Sequence, residues 1–281
     1  MPAHVVLLVL LSALMHAGWN VLVKRSPDGQ LDTVSFALAG SALAAVMLPF
    51  VPVPDGASVP WMAASLLVHV AYFISLVEAY RHADLSVTYP LMRGMAPVLV
   101  TLLAWLAGET LSEQQGVGIG IIGIGIALPA WLSMEGGINS RKGMLFGWLN
   151  AMIIALYTLL DGMGVRQAGT AIGYTTWMFF FNGWGILAYT IWRRGRQSVV
   201  EHVWTRARLA LWGAVLSMGS YGIVLWAMTQ ASIPSVAALR EISVVFAALM
   251  GTLWLHERMG KIRIACACLV GLGVMLIKIH G

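Results

Sequence analysis

The sequence predicts an all-α, polytopic membrane protein of ten transmembrane helices, arranged as two inverted five-helix repeats. Three observations predict it. The composition is too apolar for a soluble core, ten apolar stretches each approach twenty residues, and a set of polar residues recurs at a fixed spacing in the two halves.

Of the 281 residues, 59% are hydrophobic without counting 30 glycines, and only 10% are charged. A soluble domain has about 45–50% apolar residues with glycine included and about 25% charged. The excess cannot be hidden inside one core, because a soluble fold must cover its surface with polar groups. A lipid-facing surface removes that need, and the mean hydropathy of +0.81 agrees. The formal charge is +5. The basic residues lie in short gaps between apolar runs and form no face with interleaved aromatics, which excludes a nucleic-acid partner. Both cysteines, Cys266 and Cys268, fall in the last apolar run two positions apart, where helical side chains diverge and no disulfide forms. Only Met1 to His4 precede the first apolar run, so that run lacks the basic n-region of a signal peptide and is expected to be a retained helix.

A helix needs about 20 apolar residues to cross the hydrocarbon core. Ten stretches qualify, at 5–23, 32–51, 61–80, 86–107, 114–132, 143–162, 171–192, 208–230, 232–254 and 261–278. Asp32 and Asp84 are candidate N-caps for the second and fourth spans, since a side-chain oxygen can accept from the unpaired N–H groups of a first turn. Ser112 with Gln115 has the spacing of a capping box before the fifth. Pro52, Pro54, Gly56 and Pro60 separate the second and third spans. Trp61, Trp105, Trp131, Trp148, Trp192 and Trp254 fall near span ends, where an amphipathic ring prefers the interface.

The loops alternate in charge. One side carries Lys24, Arg25, Arg81, Arg141, Lys142, Arg193, Arg194, Arg196, Arg206, Arg208, Arg258, Lys261 and Arg263. The side with both termini carries little beyond Arg166 and Lys278. The positive-inside rule places the basic side in the cytoplasm.

His16, Asn20 and Arg25 recur as Tyr157, Asp161 and Arg166, each 141 residues later. The run Pro97–Glu109 recurs as Val245–Glu257, and Ala83–Leu91 as Ala231–Leu239, both 148 residues later. The halves are therefore 1–137 and 138–281, with five spans each. An odd number of spans inverts the second copy, a build frequent among secondary transporters. The dinucleotide-like run Gly118, Gly120, Gly123 has no preceding strand and lies inside a span, so it is no nucleotide site. Gly116 and Gly120 instead have GxxxG spacing. The fifth span is thus a candidate for packing between the halves, or between two protomers of a homodimer.

A charged group at a helix centre in the bilayer costs about 2.5–3.5 kcal/mol, and such groups tend to face a cavity or a partner. Arg93 in the fourth span and Arg240 with Glu241 in the ninth are the foremost candidates. Glu78 lies near the basic side and Asp161 near the other, so the repeat suggests two mirrored latches, Arg93 with Glu78 and Arg240 with Asp161. The alternative is static pairs that hold helices together. His16 and Asn20 share a helix face, as do Tyr157 and Asp161. These stripes either line a cavity or bond to neighbouring helices. Trp19, Tyr72, Tyr221, Trp177 and Trp226 are candidates to wall a site, with ordinary packing as the alternative. Glu109 and Glu257 read as structural, the latter four residues before Lys261. No P-loop, HExxH or other metal-ligand spacing occurs, and no cofactor is expected.

His16-Ala-Gly-Trp-Asn20, the run from Ala83 through Tyr89, Pro90 and Arg93 to Gly94, and the glutamates Glu109 and Glu257 together resemble the drug/metabolite transporter superfamily, specifically EamA-type proteins with two five-helix halves. The resemblance spans essentially the whole chain, and narrows toward permeases associated with phosphonate utilisation. It implies a secondary transporter, not an enzyme, in a bacterial inner membrane, and it implies both termini in the cytoplasm, against the charge count. The expected cargo is a small polar metabolite with a carboxylate or phosphonate group, since guanidinium forks match such oxygens. A flippase for a lipid-linked substrate and a membrane-embedded enzyme are the alternatives.

Overall fold

Helices account for all the regular structure among the described residues. The computed structural model describes residues 1–24, 26, 28–82, 85–133, 141–255 and 261–279. The first half contributes α1 (Ala3–Lys24), α2 (Gly29–Met47), α3 (Val59–His82), α4 (Leu85–Leu106) and α5 (Glu113–Ser133). The second contributes α6 (Arg141–Arg166), α7 (Ala171–Arg194), α8 (Arg196–Thr205), α9 (Ala207–Met228), α10 (Ile233–Arg240), α11 (Ser243–Leu255) and α12 (Lys261–Ile279). Among the described residues, six segments are long and apolar enough to cross a membrane: Ala3–Val23, Gly29–Phe50, Gly56–Leu76, Arg141–Arg166, Ala207–Met228 and Ile233–Met250. Leu91–Leu106, Glu113–Leu128 and Cys268–Ile277 are shorter apolar helices. Large apolar side chains such as Leu67 and Leu145 are 74% and 67% exposed, a waste in water and natural in lipid.

Two departures from ten simple spans have local causes. The stretch 193–208 is not a plain loop. Gly195, at φ +82°, ends α7 and turns the chain into the short helix α8. The ninth span is broken into α10 and α11. Around the break, Glu241, Ile242 and Val244 donate three residues back, to Ala238, Leu239 and Glu241, tightening the chain to a 3₁₀ turn. Ile242, Ser243, Val244 and Val245 are all weaker helix formers than alanine or leucine, the three β-branched ones through lost χ1 freedom.

The capping box is as expected: Ser112 N donates to Gln115 Oε1 at 3.1 Å, and Gln115 N to Ser112 Oγ at 3.2 Å. The cap of α2 is Asp28, which accepts from Leu31 N, and not Asp32. Asp32 is one turn inside and fully buried, 2.6 Å from His202 Nε2 and 2.9 Å from Arg206 Nε, so it anchors the α8 segment. The other cap candidate, Asp84, lies outside the described residues, as do Arg25 and Glu257. Of the interface tryptophans, Trp105, Trp148 and Trp192 are exposed, whereas Trp61 packs against Gly164.

The halves interlock. α1 packs on α9 of the other half, and α6, the repeat equivalent of α1, packs on α3, the equivalent of α9. α4 lies on α6, and α10 with α11 lie on α1. Equivalent helices also meet one another, α2 with α7, α4 with α10 and α5 with α12. Polar side chains bond the crossed pairs. Ser12 Oγ donates to the Ser220 carbonyl at 2.8 Å between α1 and α9, and Asn150 Nδ2 donates to Ser75 Oγ at 2.7 Å between α6 and α3. The α5–α12 crossing runs through Gly118 and not the expected Gly116 and Gly120. A Cβ on Gly118 would lie 2.7 Å from the Gly273 carbonyl oxygen, while Gly116 and Gly120 have nothing within 4 Å. A Cβ on Gly123, in the same helix, would lie 2.9 Å from the Gly94 carbonyl oxygen of α4, so small residues bring three backbones together.

Candidate functional site

The break between α10 and α11 delivers Arg240 and Glu241 to the middle of the bundle. Both are buried, at 6% and 4% exposure, inside a stretch that α1, α4, α6 and α9 surround. From α4, Arg93 reaches the same place. Its Nη1 lies 3.4 Å from Glu241 Oε1, and its Nη2 lies 3.1 Å from His16 Nε2 of α1. Arg93 and Glu241 are 148 residues apart, the offset that relates the repeats, so the pair joins equivalent positions of the two halves.

This overturns both expected latches. Arg93 pairs with Glu241 rather than with Glu78, which lies 3.7 Å from His82. Asp161 is fully buried and accepts from two phenols, Tyr174 at 3.1 Å and Tyr221 through a short contact. Arg240 instead stands 5.6 Å over the Tyr221 ring, a cation–π contact. Tyr221 thus links the arginine to the carboxylate without an ion pair. The two arginines sit together rather than near opposite ends because the interlocked packing brings α4 onto α10.

The other candidates sort by geometry. His16 is buried, with Trp19 edge-on at 5.1 Å between ring centroids. The Trp19 indole nitrogen also lies 3.3 Å from His16 Nδ1. A neutral imidazole accepts at only one nitrogen, and the Arg93 contact is the shorter. Asn20 donates to the His16 carbonyl at 2.7 Å, within its own helix, and so joins no other element. Tyr157 and Tyr72 pack at 5.8 Å as a T-shaped pair. Sequence reasoning passed over His69, whose ring lies 4.3 Å from Tyr157 and 6.3 Å from Tyr221. It is one turn before Tyr72 in an apolar span, and the rule that singled out His16 applies to it. Trp177 is half-buried against Phe180 and Phe181, and its buried Nε1 has no hydrogen-bond partner among the described residues. Trp226 packs near His4, away from this cluster.

A cavity of about 10 Å³, the size of one water, lies beside the pair, lined by Ala96, Pro97, Val100, Ile154, Thr158, Ala237, Arg240 and Glu241. α4, α6 and α10 form its walls, so it lies between the halves. Among the described residues, Glu241 Oε2 is buried without a hydrogen-bond partner, as is the Ser243 hydroxyl at the start of α11.

One end of the bundle is tied across the halves. Gly108, at φ +91°, ends α4 and presents Glu109 to the other half. Glu109 accepts from Ile233 N at 3.1 Å, capping α10, and forms a close ion pair with Arg166. Arg166 also donates to the carbonyls of Met228 at 2.8 Å and Ala231 at 2.9 Å. The structural reading of Glu109 therefore holds.

Comparison with known proteins agrees with this architecture. The model of the EamA-like transporter family matches the chain twice, over residues 4–130 and 141–279. The chain belongs to that family. It is an integral membrane protein of a class that carries small solutes across membranes. A crystal structure of a protein 14% identical to it superposes over 100% of both chains with a TM-score of 0.74, and so shares its fold. No curated protein matches the sequence.

Proposed function

We propose that the protein is a secondary transporter that moves a small polar metabolite by alternating access, with two inverted five-helix halves totalling ten spans in a bacterial inner membrane. The observation that carries this reading is the buried Arg93–Glu241 pair between repeat-equivalent positions, beside a pocket at a broken helix. Transporters place substrate at discontinuous helices near the midplane, between halves that rock against each other. A pair on the axis between halves can be remade as they move, which a static helix clamp would not require. Gating involves His16, Trp19, Tyr72, Tyr157, Asp161 and Tyr221. Arg240 engages an acidic group on the cargo, a carboxylate or phosphonate, because its guanidinium has no hydrogen-bond acceptor among the described residues.

The test is counterflow in proteoliposomes, preceded by a thermal-shift screen of amino acids, phosphonates, amines and nucleosides. A ligand at 100 times its Kd adds about 2.7 kcal/mol of stability, enough to detect. Arg240→Ala is expected to weaken the hit by about 2–5 kcal/mol, the cost of truncating one partner of a buried charge contact. Full exchange rates in both Arg93→Ala and Arg240→Ala would remove the proposed site.

A further inference from the structure

The arginines where α7, α8 and α9 join fall into two groups. Arg194 Nη2 lies 2.8 Å from Asp28 Oδ2, and Arg206 Nε lies 2.9 Å from the buried Asp32 Oδ1, so both tie this corner to α2. Arg193, Arg196 and Arg208 are exposed, and their side chains make no ion pair or hydrogen bond among the described residues. The acidic residue of α8, Glu201, accepts from Gln197 Nε2 at 2.9 Å. Three cations are therefore left over from the fold at one place.

The helix between them is built for a boundary. Ten residues rise about 15 Å, half the hydrocarbon thickness, so α8 does not span. At about 100° per residue its side chains fall into three sectors. Val199, His202, Val203 and Arg206 face the protein: Val199 packs with Val34 of α2 and Ile186 of α7, while His202 and Arg206 hold Asp32. Gln197, Ser198, Glu201 and Thr205 form an exposed polar sector. Arg196, Val200 and Trp204 form the third, with Val200 44% and Trp204 77% exposed. Trp192, at the end of α7, is equally bare. A short helix with protein on one side, polar groups on another and a bare apolar flank fits the plane of the membrane surface, where tryptophan rings are at home.

We propose that this corner seats an anionic phospholipid of the surrounding leaflet. Its phosphate lies against Arg193, Arg196 and Arg208, and the upper part of its chains against Trp192, Val200 and Trp204. Charge complementarity selects this occupant. A zwitterionic headgroup would bring a further cation to a corner that already has three to spare. A free anion would use the arginines and leave the apolar flank uncovered. An excess of positive charge on one side of a membrane needs no such flank, so the feature goes beyond the loop asymmetry. The proposal requires only that the chain lies in a bilayer, and it stands whatever the cargo.

The test titrates the full chain, purified in detergent, with dioleoylphosphatidylglycerol or dioleoylphosphatidylcholine. Thermal unfolding reports affinity, and native mass spectrometry counts the lipid retained. The anionic lipid is expected to bind about tenfold or more tighter, since each arginine near an anionic surface contributes severalfold. Raising salt from about 0.15 M to about 1 M, which cuts the screening length from about 8 Å to about 3 Å, should erase most of the preference. Arg193→Gln, Arg196→Gln and Arg208→Gln together should abolish it, and each alone should weaken it in part, which keeps the test open if the triple variant folds poorly. Trp204→Gln should weaken retention of the anionic lipid at unchanged charge. Equal binding of the two lipids overturns the proposal, as does a preference that survives all the arginine variants. Retention indifferent to Trp204→Gln also overturns it. If inorganic phosphate raises the unfolding midpoint as much as the lipid does, the site takes a free anion and the lipid assignment falls.

Discussion

The repeat-equivalent stretches around His16 and around Tyr157 occupy matching places in the two halves and hold different chemistry. On α1, His16 faces Arg93 and, through it, Glu241, so that site is an ionic chain. On α6, Tyr157 stacks with His69, and Asp161 is held by the phenols of Tyr174 and Tyr221. The same split runs through α4 and its equivalent. α4 is one unbroken helix through Arg93, whereas the corresponding stretch breaks at Glu241. Duplication has fixed positions and packing partners, and the two copies have since divided the work. One half supplies a continuous helix with an ion-paired arginine, the other a break that buries an arginine over a phenol ring beside the partner carboxylate.

That contrast predicts unequal responses to mutation. The largest belongs to the ionic chain. Arg93→Ala leaves the Glu241 carboxylate buried and uncompensated and is expected to destabilise by about 3–5 kcal/mol in thermal unfolding. The swapped pair Arg93→Glu with Glu241→Arg should recover most of it, and no recovery would mean that the two do not act as a pair. In the phenolic site the loss is smaller. Tyr221→Phe removes one phenol donor to Asp161 and should cost about 1–3 kcal/mol. If Tyr221→Phe costs as much as Arg93→Ala, the two sites are not chemically distinct in the way described. At the α5–α12 crossing, Gly118→Ala drives a Cβ against the Gly273 carbonyl and should cost about 1–3 kcal/mol, while Gly120→Ala should be neutral or slightly stabilising. The reverse ranking would return the crossing to the Gly116–Gly120 face. The smallest effects are expected where the halves use equivalent bonds. Ser12→Ala and Asn150→Ala should each cost about 0.6 kcal/mol, typical of hydrogen bonds between membrane helices. A much larger loss in one would show that the crossed α1–α9 and α3–α6 contacts have also diverged.

Much of the scaffold was legible because its signals are local. Apolar length locates a helix whatever surrounds it, and the six segments long enough to span all overlap expected spans. The Ser112–Gln115 box formed because both partners lie within one turn. Charged residues inside apolar runs marked Arg93, Arg240 and Glu241 as unusual, since each must find a cavity or a partner.

Which partner each found was not legible. The repeat offset placed Arg93 and Glu241 at equivalent positions, yet nothing in a linear pattern says that equivalent helices meet at an axis. That followed from α4 lying on α10 and from the small residues that let α5 cross α12 closely. His69 entered the cluster for the same reason, because α3 packs on α6. The sequence by itself determined that the chain is a bundle of membrane-spanning helices in two related halves, and which buried polar residues need an explanation, because hydrophobic length and charge at depth are properties of single helices. Only the tertiary structure decided that Arg93 pairs with Glu241 across the halves, that Asp161 answers to tyrosines, and that Arg240 stands over the Tyr221 ring, because those are properties of helices meeting.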